Sequence, residues 1–352
     1  MSQPAQEKPW PLTPADELTE QAWAHLDSLA KPRRSLGKLE HLAVRLARIQ
    51  RTLRPTVRPR RLVLFAGDHG VVARGVSAWP SEVTALMVRT ILMGRASSSA
   101  LSAAHDCSLR LVDVGVAGAR VHHGPDFFRD ARIACGTQDL SAGPAMTSAE
   151  FDAAWQVGVE EAERAVADGN RVLIAGEMGI GNTTPAACLT MLFTDVAAEV
   201  AVGPGAGADD ATLRTKREIV ASALARAGGC APLRTAIEGL AGLEIVAMAG
   251  FYAAGARVGA TLLIDGYVAT AAALIAWHLQ PECMQSMIAA HRSAEPGHGA
   301  ALACLGLEPL LDWNMRLGEG TGALVALPML DSAAALMRDV AALSELGVAR
   351  ED

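Results

Sequence analysis

Two stretches near the N-terminus carry apolar residues at helical intervals. LTEQAWAHLDSLA has them at 18, 22, 23, 26 and 29, and GKLEHLAVRLARIQRTL has leucine or isoleucine at 39, 42, 46, 49 and 53. Steps of three and four line one side of an α-helix. Pro32 breaks the chain between them, and Ser35 is placed to cap the second helix. Beyond residue 60 the pattern changes. RLVLFAGDHG, LRLVDVGVAG, RVLIAGEMGIGNTT and TLLIDG each open on a short apolar run and end in a turn containing glycine. Unbroken apolar runs of this length read as strands buried on both faces. Helical periodicity returns between them. Ser81 is the expected cap of a helix from Glu82 to about Arg95, residues 148–168 form a helix stopped at Gly169, and others cover 211–227, 243–258 and 267–279. The last segment, LDSAAALMRDVAALSEL, is an amphipathic helix that closes back on the first two. Strands alternating with helices predict an α/β protein with a parallel sheet covered on both faces.

Composition narrows the class. The chain has 352 residues, 51% of them hydrophobic but only 4% aromatic, so alanine, valine and leucine must build the core. That length allows a large domain with or without a small one. The formal net charge of −7 is the opposite of a nucleic-acid binder's basic excess. One basic run, Arg51 to Arg61, reads as a solvated connector before a strand. None of the six cysteines has C-x-x-C spacing, which argues against zinc and thioredoxin-like redox sites. Isolated thiols and an N-terminus without an apolar core point to a cytoplasmic protein with no signal peptide. The longest apolar run, TLLIDGYVATAAALIAWHL, is broken by Asp265-Gly266, as a strand, turn and helix would be and a membrane span would not.

In such a sheet ligands collect beyond the carboxyl ends of the strands, where the glycine-rich turns fall. In GEMGIGNTTPA, Gly179 and Gly181 let backbone N–H groups approach a ligand, and Asn182, Thr183 and Thr184 offer donors where the next helix begins. The positive end of that helix suits a phosphate. A tight strand–helix turn would need the same glycines. No Lys-Ser/Thr follows, so the turn is not a Walker loop, and it lacks the usual dinucleotide fingerprint. GPGAGADD is a second glycine-dense turn, followed by Lys216, either a ligand contact or a solvated side chain. HRSAEPGH matches no standard metal spacing, and its Ser293 is a candidate phosphate donor. In GDHGV, Asp68 and His69 either act chemically or bond the turn itself. RLGEGTGA sets one acid, Glu319, between glycines in apolar surroundings. Desolvation there should favour the protonated form and make it a proton acceptor near neutral pH. The alternative is an acid that caps a helix over Gly320–Leu324.

Taken in order, KPRRSLGKLE, FAGDHGV, VSAWPSEVT, VDVGVA, GPAMT, GEMGIGNTTPAA, HRSAEPGH and RLGEGTGA resemble the nicotinate-nucleotide–dimethylbenzimidazole phosphoribosyltransferase family, from about Lys31 to the end. The resemblance implies a doubly wound, mostly parallel, Rossmann-like sheet in residues 61–329. It implies a small helical domain from residues 1–60 and about 330–352, and a homodimer. The substrates would be nicotinate mononucleotide and a benzimidazole-type base, with no metal and no cofactor. Carried over by motif, Glu319 is the catalytic base and Glu177 a second acid near the ribose. Gly179, Ile180, Gly181, Asn182, Thr183, Lys216 and Ser293 match phosphate or ribose contacts. Ser77, Leu86, Met87 and Leu317 lie where the base binds. Four residues depart from the pattern: Arg34 replaces a glycine, Leu86 a glutamine that faces the incoming base, and Cys135 and Pro204 residues that are usually basic. Leu86 leaves open a different acceptor, another azole, a purine or a phenol. Two further readings are a Rossmann-type dinucleotide-binding oxidoreductase and a non-catalytic nucleotide-binding protein.

Overall fold

The computed structural model describes residues 17–227 and 231–347. Among these residues six parallel strands form one sheet: β1 (Arg60–Gly67), β2 (Ser108–Gly115), β3 (Phe128–Asp130), β4 (Val172–Met178), β5 (Thr261–Ile264) and β6 (Met287–Ala289). Their order is β3-β2-β1-β4-β5-β6. This is the doubly wound Rossmann order, with its switch point between β1 and β4. The sequence shows four strands clearly. The two it leaves out, β3 and β6, are edge strands of three residues each, too short to express any periodicity.

The strands alternate even though nearly every residue is apolar. Val63 and Phe65 of β1 join one core cluster, while Leu62, Leu64 and Ala66 join another on the opposite face. The first face is covered by α5 (Ser148–Ala167), α10 (Leu243–Arg257) and α11 (Tyr267–Leu279). On the second lie α1 (Glu17–Ser28), α2 (Lys38–Gln50) and α13 (Thr321–Asp339), with α3 (Glu82–Leu92) and α4 (Ser97–Ala104) beside them. Helices from both ends of the chain thus pack together, and their apolar side chains share one cluster with the sheet. Shorter elements complete the chain: α6 (Thr183–Thr194), α7 (Ala198–Ala201), α8 (Asp210–Ala227), α9 (Leu233–Leu240) and α12 (His298–Leu305). Among the described residues no helix is long and apolar enough to cross a membrane.

Local chemistry explains the start of α5. Thr147 and Glu150 form a reciprocal capping box at the start of α5. Of the two predicted serine caps, Ser81 takes its place just before Glu82, but neither serine's side chain caps its helix. Ser35 sits in a turn, bonded by its amide to the Pro32 carbonyl, and α2 starts only at Lys38 after Gly37. Two left-handed residues, Arg34 and Gly37, keep that turn from becoming helix. Ser81 is already helical in conformation and its side chain caps nothing, because the Pro80 carbonyl accepts the Val83 amide one turn earlier. Arg34 has φ 58, a conformation that glycine adopts at no steric cost and arginine does not. Its guanidinium stacks 3.6 Å from the Trp23 ring centroid and pairs with Asp27, and these contacts hold it there.

The basic run is the expected connector before β1, with Arg51, Arg54 and Arg58 exposed, but its last residues are not simply solvated. Arg60 is 1% exposed, pairs with Asp331 of α13 and donates to the His105 carbonyl, and Arg58 reaches the same aspartate. Its arginines fasten the start of the sheet to the last long helix. Of the cysteines, 107, 188 and 283 are buried, 304 is half-buried and 135 exposed. Cys230 lies outside the described residues.

Candidate active site

A cleft opens beyond the carboxyl ends of β1, β4 and β5, where the switch point places it. Of the residues singled out from the sequence, Ser77, Glu177, the whole Gly179–Thr183 turn, Lys216, Ser293, Leu317 and Glu319 line it. Leu86 and Met87 do not: Leu86 is 55% exposed on α3, and Met87 packs half-buried against the core. Including its open mouth, the cleft holds about 860 Å³, within the usual range for small-molecule sites.

The two ends of the cleft differ in charge. At one end α6 begins at Thr183 beyond the glycine turn. The amides of Ile180 and Asn182 are engaged inside the protein, by the Thr84 hydroxyl and the Gly179 carbonyl. Lys216, Thr183 and Ser293 line this end of the cleft. Lys216 is 1% exposed and donates to Thr183 Oγ1 at 2.7 Å and to the Gly203 carbonyl at 3.1 Å. Burial pulls its ammonium down to about 8, partly countered by the nearby Glu295 carboxylate. The Ser293 hydroxyl oxygen accepts from the Glu295 amide, which leaves its proton to donate. His298 positions this segment. Its Nδ1 accepts from the Ser293 amide at 2.7 Å and its Nε2 pairs with Thr270 at 2.9 Å. Burial, aided by His291 and Arg292, depresses its imidazole to about 3, so it is neutral. With both nitrogens engaged it has none left for a metal.

At the other end, carboxylates crowd together. Burial pushes the Glu177 carboxyl well above its ordinary range, reinforced by Glu244, Asp265 and Glu319. The Asn182 amide donates to it. Glu319 is 3% exposed and takes φ 57, flanked by Gly318 at φ 89 and Gly320 at φ 72. Three left-handed residues in succession make a tight hook before α13. Gly176 in β4 lets that hook approach: a Cβ there would stand 2.7 Å from the Gly320 amide nitrogen and 2.8 Å from the Glu319 carbonyl carbon. A Cβ at Gly318 would likewise strike Glu177 Oε1 at 2.1 Å. Glycines therefore bring the two acids to one place.

Glu319 does not cap the helix that follows it. Asp265, from the turn after β5, does so by accepting from the Ala323 amide at 2.8 Å. The Glu319 carboxylate instead accepts from Ser98 of α4. Neither Asp265 nor Ser98 emerged from the sequence reading, although the broken run at Asp265-Gly266 marked the first. The Asp68 and His69 side chains face other segments rather than their own turn. Asp68 Oδ2 accepts from the Ala117 amide at 2.8 Å, and His69 Nε2 lies 3.0 Å from Glu244 Oε1 with both side chains buried. Burial alone would lower His69, but Glu244 outweighs it and holds the imidazole above its usual range.

A family model described as a phosphoribosyltransferase matches residues 12–348. That match and the cleft at the switch point of the sheet define the class: the chain is a phosphoribosyltransferase. The nicotinate-nucleotide–dimethylbenzimidazole phosphoribosyltransferase of Thermus thermophilus is 45% identical over 335 residues, 95% of this chain and 99% of its own. The enzyme of that name from Pseudomonas putida is 42% identical and covers 95% of each chain. The crystal structure of CobT from Thermus thermophilus superposes with a TM-score of 0.92 at 43% identity, over 96% of this chain and 100% of its own. The chain belongs to the nicotinate-nucleotide–dimethylbenzimidazole phosphoribosyltransferase family. That membership sets aside the oxidoreductase reading, which shared only the sheet order.

Proposed function

We propose that the chain transfers the phosphoribosyl group of nicotinate mononucleotide to 5,6-dimethylbenzimidazole, giving nicotinate and α-ribazole 5′-phosphate, with inversion at C1′. The observation that carries this reading is the division of one cleft into a cationic cradle and a cluster of acids. A nucleotide with an anionic phosphate and a cationic pyridinium has the matching polarity. The phosphate is held by Lys216, Thr183 and Ser293 at the start of α6, and the ribosyl–pyridinium lies among Glu177, Asp265 and Glu319. A cation there relieves the mutual repulsion of these carboxylates.

The chemistry then needs little from the protein. The imino nitrogen of the acceptor attacks C1′ from the face opposite the leaving group. The C1′–pyridinium bond breaks, its electron pair returns to the ring nitrogen, and nicotinate leaves without needing a proton. The proton on the acceptor's other ring nitrogen passes to Glu319. Developing oxocarbenium charge is stabilised by the nearby carboxylates. Glu319→Gln should lower kcat by ~10²–10⁴ with nucleotide affinity little changed. Release of nicotinate, followed by chromatography with dimethylbenzimidazole present, measures it. A Glu319→Gln variant at the native rate would remove the base assignment. A second reading keeps this chemistry and changes the acceptor. It rests on residue type alone, a leucine at 86 where the resemblance implies glutamine, because Leu86 itself stands outside the cleft. Product masses from a panel of azoles, purines and phenols decide between the two.

A further inference from the structure

Glu319 has two carboxylate oxygens, and only one is free for chemistry. Ser98 is fully buried, and its hydroxyl donates to Glu319 Oε2 at 2.8 Å. The Ser98 amide points at the same oxygen from 3.4 Å. Ser98 is the second residue of α4, so this amide is one of the four that a helix leaves unpaired at its start. The hydroxyl and the amide thus converge on a single atom. α4 packs directly on α13, so the donor and the hook that carries Glu319 belong to one rigid contact.

The acid needs such a hold. Its backbone is left-handed, a conformation that a non-glycine residue keeps only when its surroundings over-determine it. The terminal torsion of a glutamate is soft, so an unanchored carboxylate would present either oxygen in many orientations. We propose that Ser98 is a positioning residue for the transferase reaction: it fixes Oε2 and so assigns Oε1 as the atom that takes the acceptor's proton. This rests on Glu319 being the base. Ser98 touches neither substrate nor any reacting atom, and acts through the carboxylate alone.

The experiment compares the wild type with S98A, S98C, E319Q and the S98A/E319Q double variant. It measures kcat and both KM values for nicotinate release from nicotinate mononucleotide with 5,6-dimethylbenzimidazole. Loss of a hydrogen bond to a charged group should lower kcat of S98A by about 10- to 100-fold. The nucleotide KM should stay within about twofold, because the phosphate end is untouched. S98C fills the same space but donates weakly, so its kcat should fall too. In the E319Q background S98A should cause no further loss, because the group it positions is gone. S98A or S98C at the wild-type kcat would overturn the proposal, as would losses that simply multiply in the double variant. A rate loss matched by a rise in nucleotide KM would overturn it as well, since that marks general damage to the site. Failure of the underlying reading looks different: E319Q itself would then turn over at the native rate.

Discussion

With the phosphate held as proposed, Lys216 ties substrate binding to pH. Its ammonium is buried against Thr183 and the Gly203 carbonyl and titrates near 8, below the ordinary 10.5 of lysine. The sign follows directly. Below that pH the lysine is charged and attracts a phosphate; above it the charge is lost. Affinity for nicotinate mononucleotide should therefore fall as pH rises through about 8. The Kd should rise roughly tenfold per unit until the bound lysine also titrates. Calorimetric titrations from pH 7 to pH 9.5 check this, and Lys216→Met should flatten the profile. From the sequence Lys216 was a residue on a helix near a glycine turn, with two meanings. Only the packing of α8 on α6 buries it and makes a free surface role untenable. Arg34 teaches the converse. The resemblance implies a glycine there, and φ 58 supplies a physical reason for one.

At the scale of elements, α5 and α10 are held closest by glycine. A Cβ at Gly158 of α5 would stand 1.9 Å from the Ala247 carbonyl oxygen, and one at Gly250 of α10 would stand 2.3 Å from the Trp155 carbonyl oxygen. Backbone cannot yield as a flexible side-chain tip can. Gly158→Ala gains about 1 kcal/mol of helix propensity, but overpacking costs about 1–3 kcal/mol or more. The clash with unyielding backbone sets the cost at the upper end, a net loss of about 2 kcal/mol or more, so the thermal midpoint should drop by at least about 2 °C. Gly143→Ala, with nothing within 4 Å of the new methyl, should leave it unchanged. Differential scanning calorimetry of the two variants makes the comparison. The helices themselves were legible, since 267–279 and the start of 243–258 match α11 and α10. Serine capping was not, because a cap depends on the backbone angle at which the chain enters the helix. At Ser35 and Ser81 that angle is set by neighbouring turns.

For the whole molecule, the β1/β4 switch point accounts for why motifs more than 200 residues apart, Ser77 and Glu319 among them, line one cleft. Leu86 in α3 and Met93 just past its end stand 55% and 64% exposed, and Trp79 is 52% exposed just before the helix. Apolar groups of this size in one region often mark an interface, consistent with the homodimer the resemblance implies. Sedimentation velocity at micromolar concentrations should return twice the mass of the chain, and a monomer throughout would remove the dimer. Apolar periodicity and the ordered glycine motifs sufficed, without coordinates, to place the four central strands, most of the long helices and the family. They record which side of each segment is buried and where the chain must turn. They do not record what lies opposite. The hydroxyl that holds Glu319 comes from 221 residues away, and the carboxylate that caps α13 from 58. Partners at such separations leave no local pattern, because they meet only when the sheet has assembled and the helices have packed onto its faces.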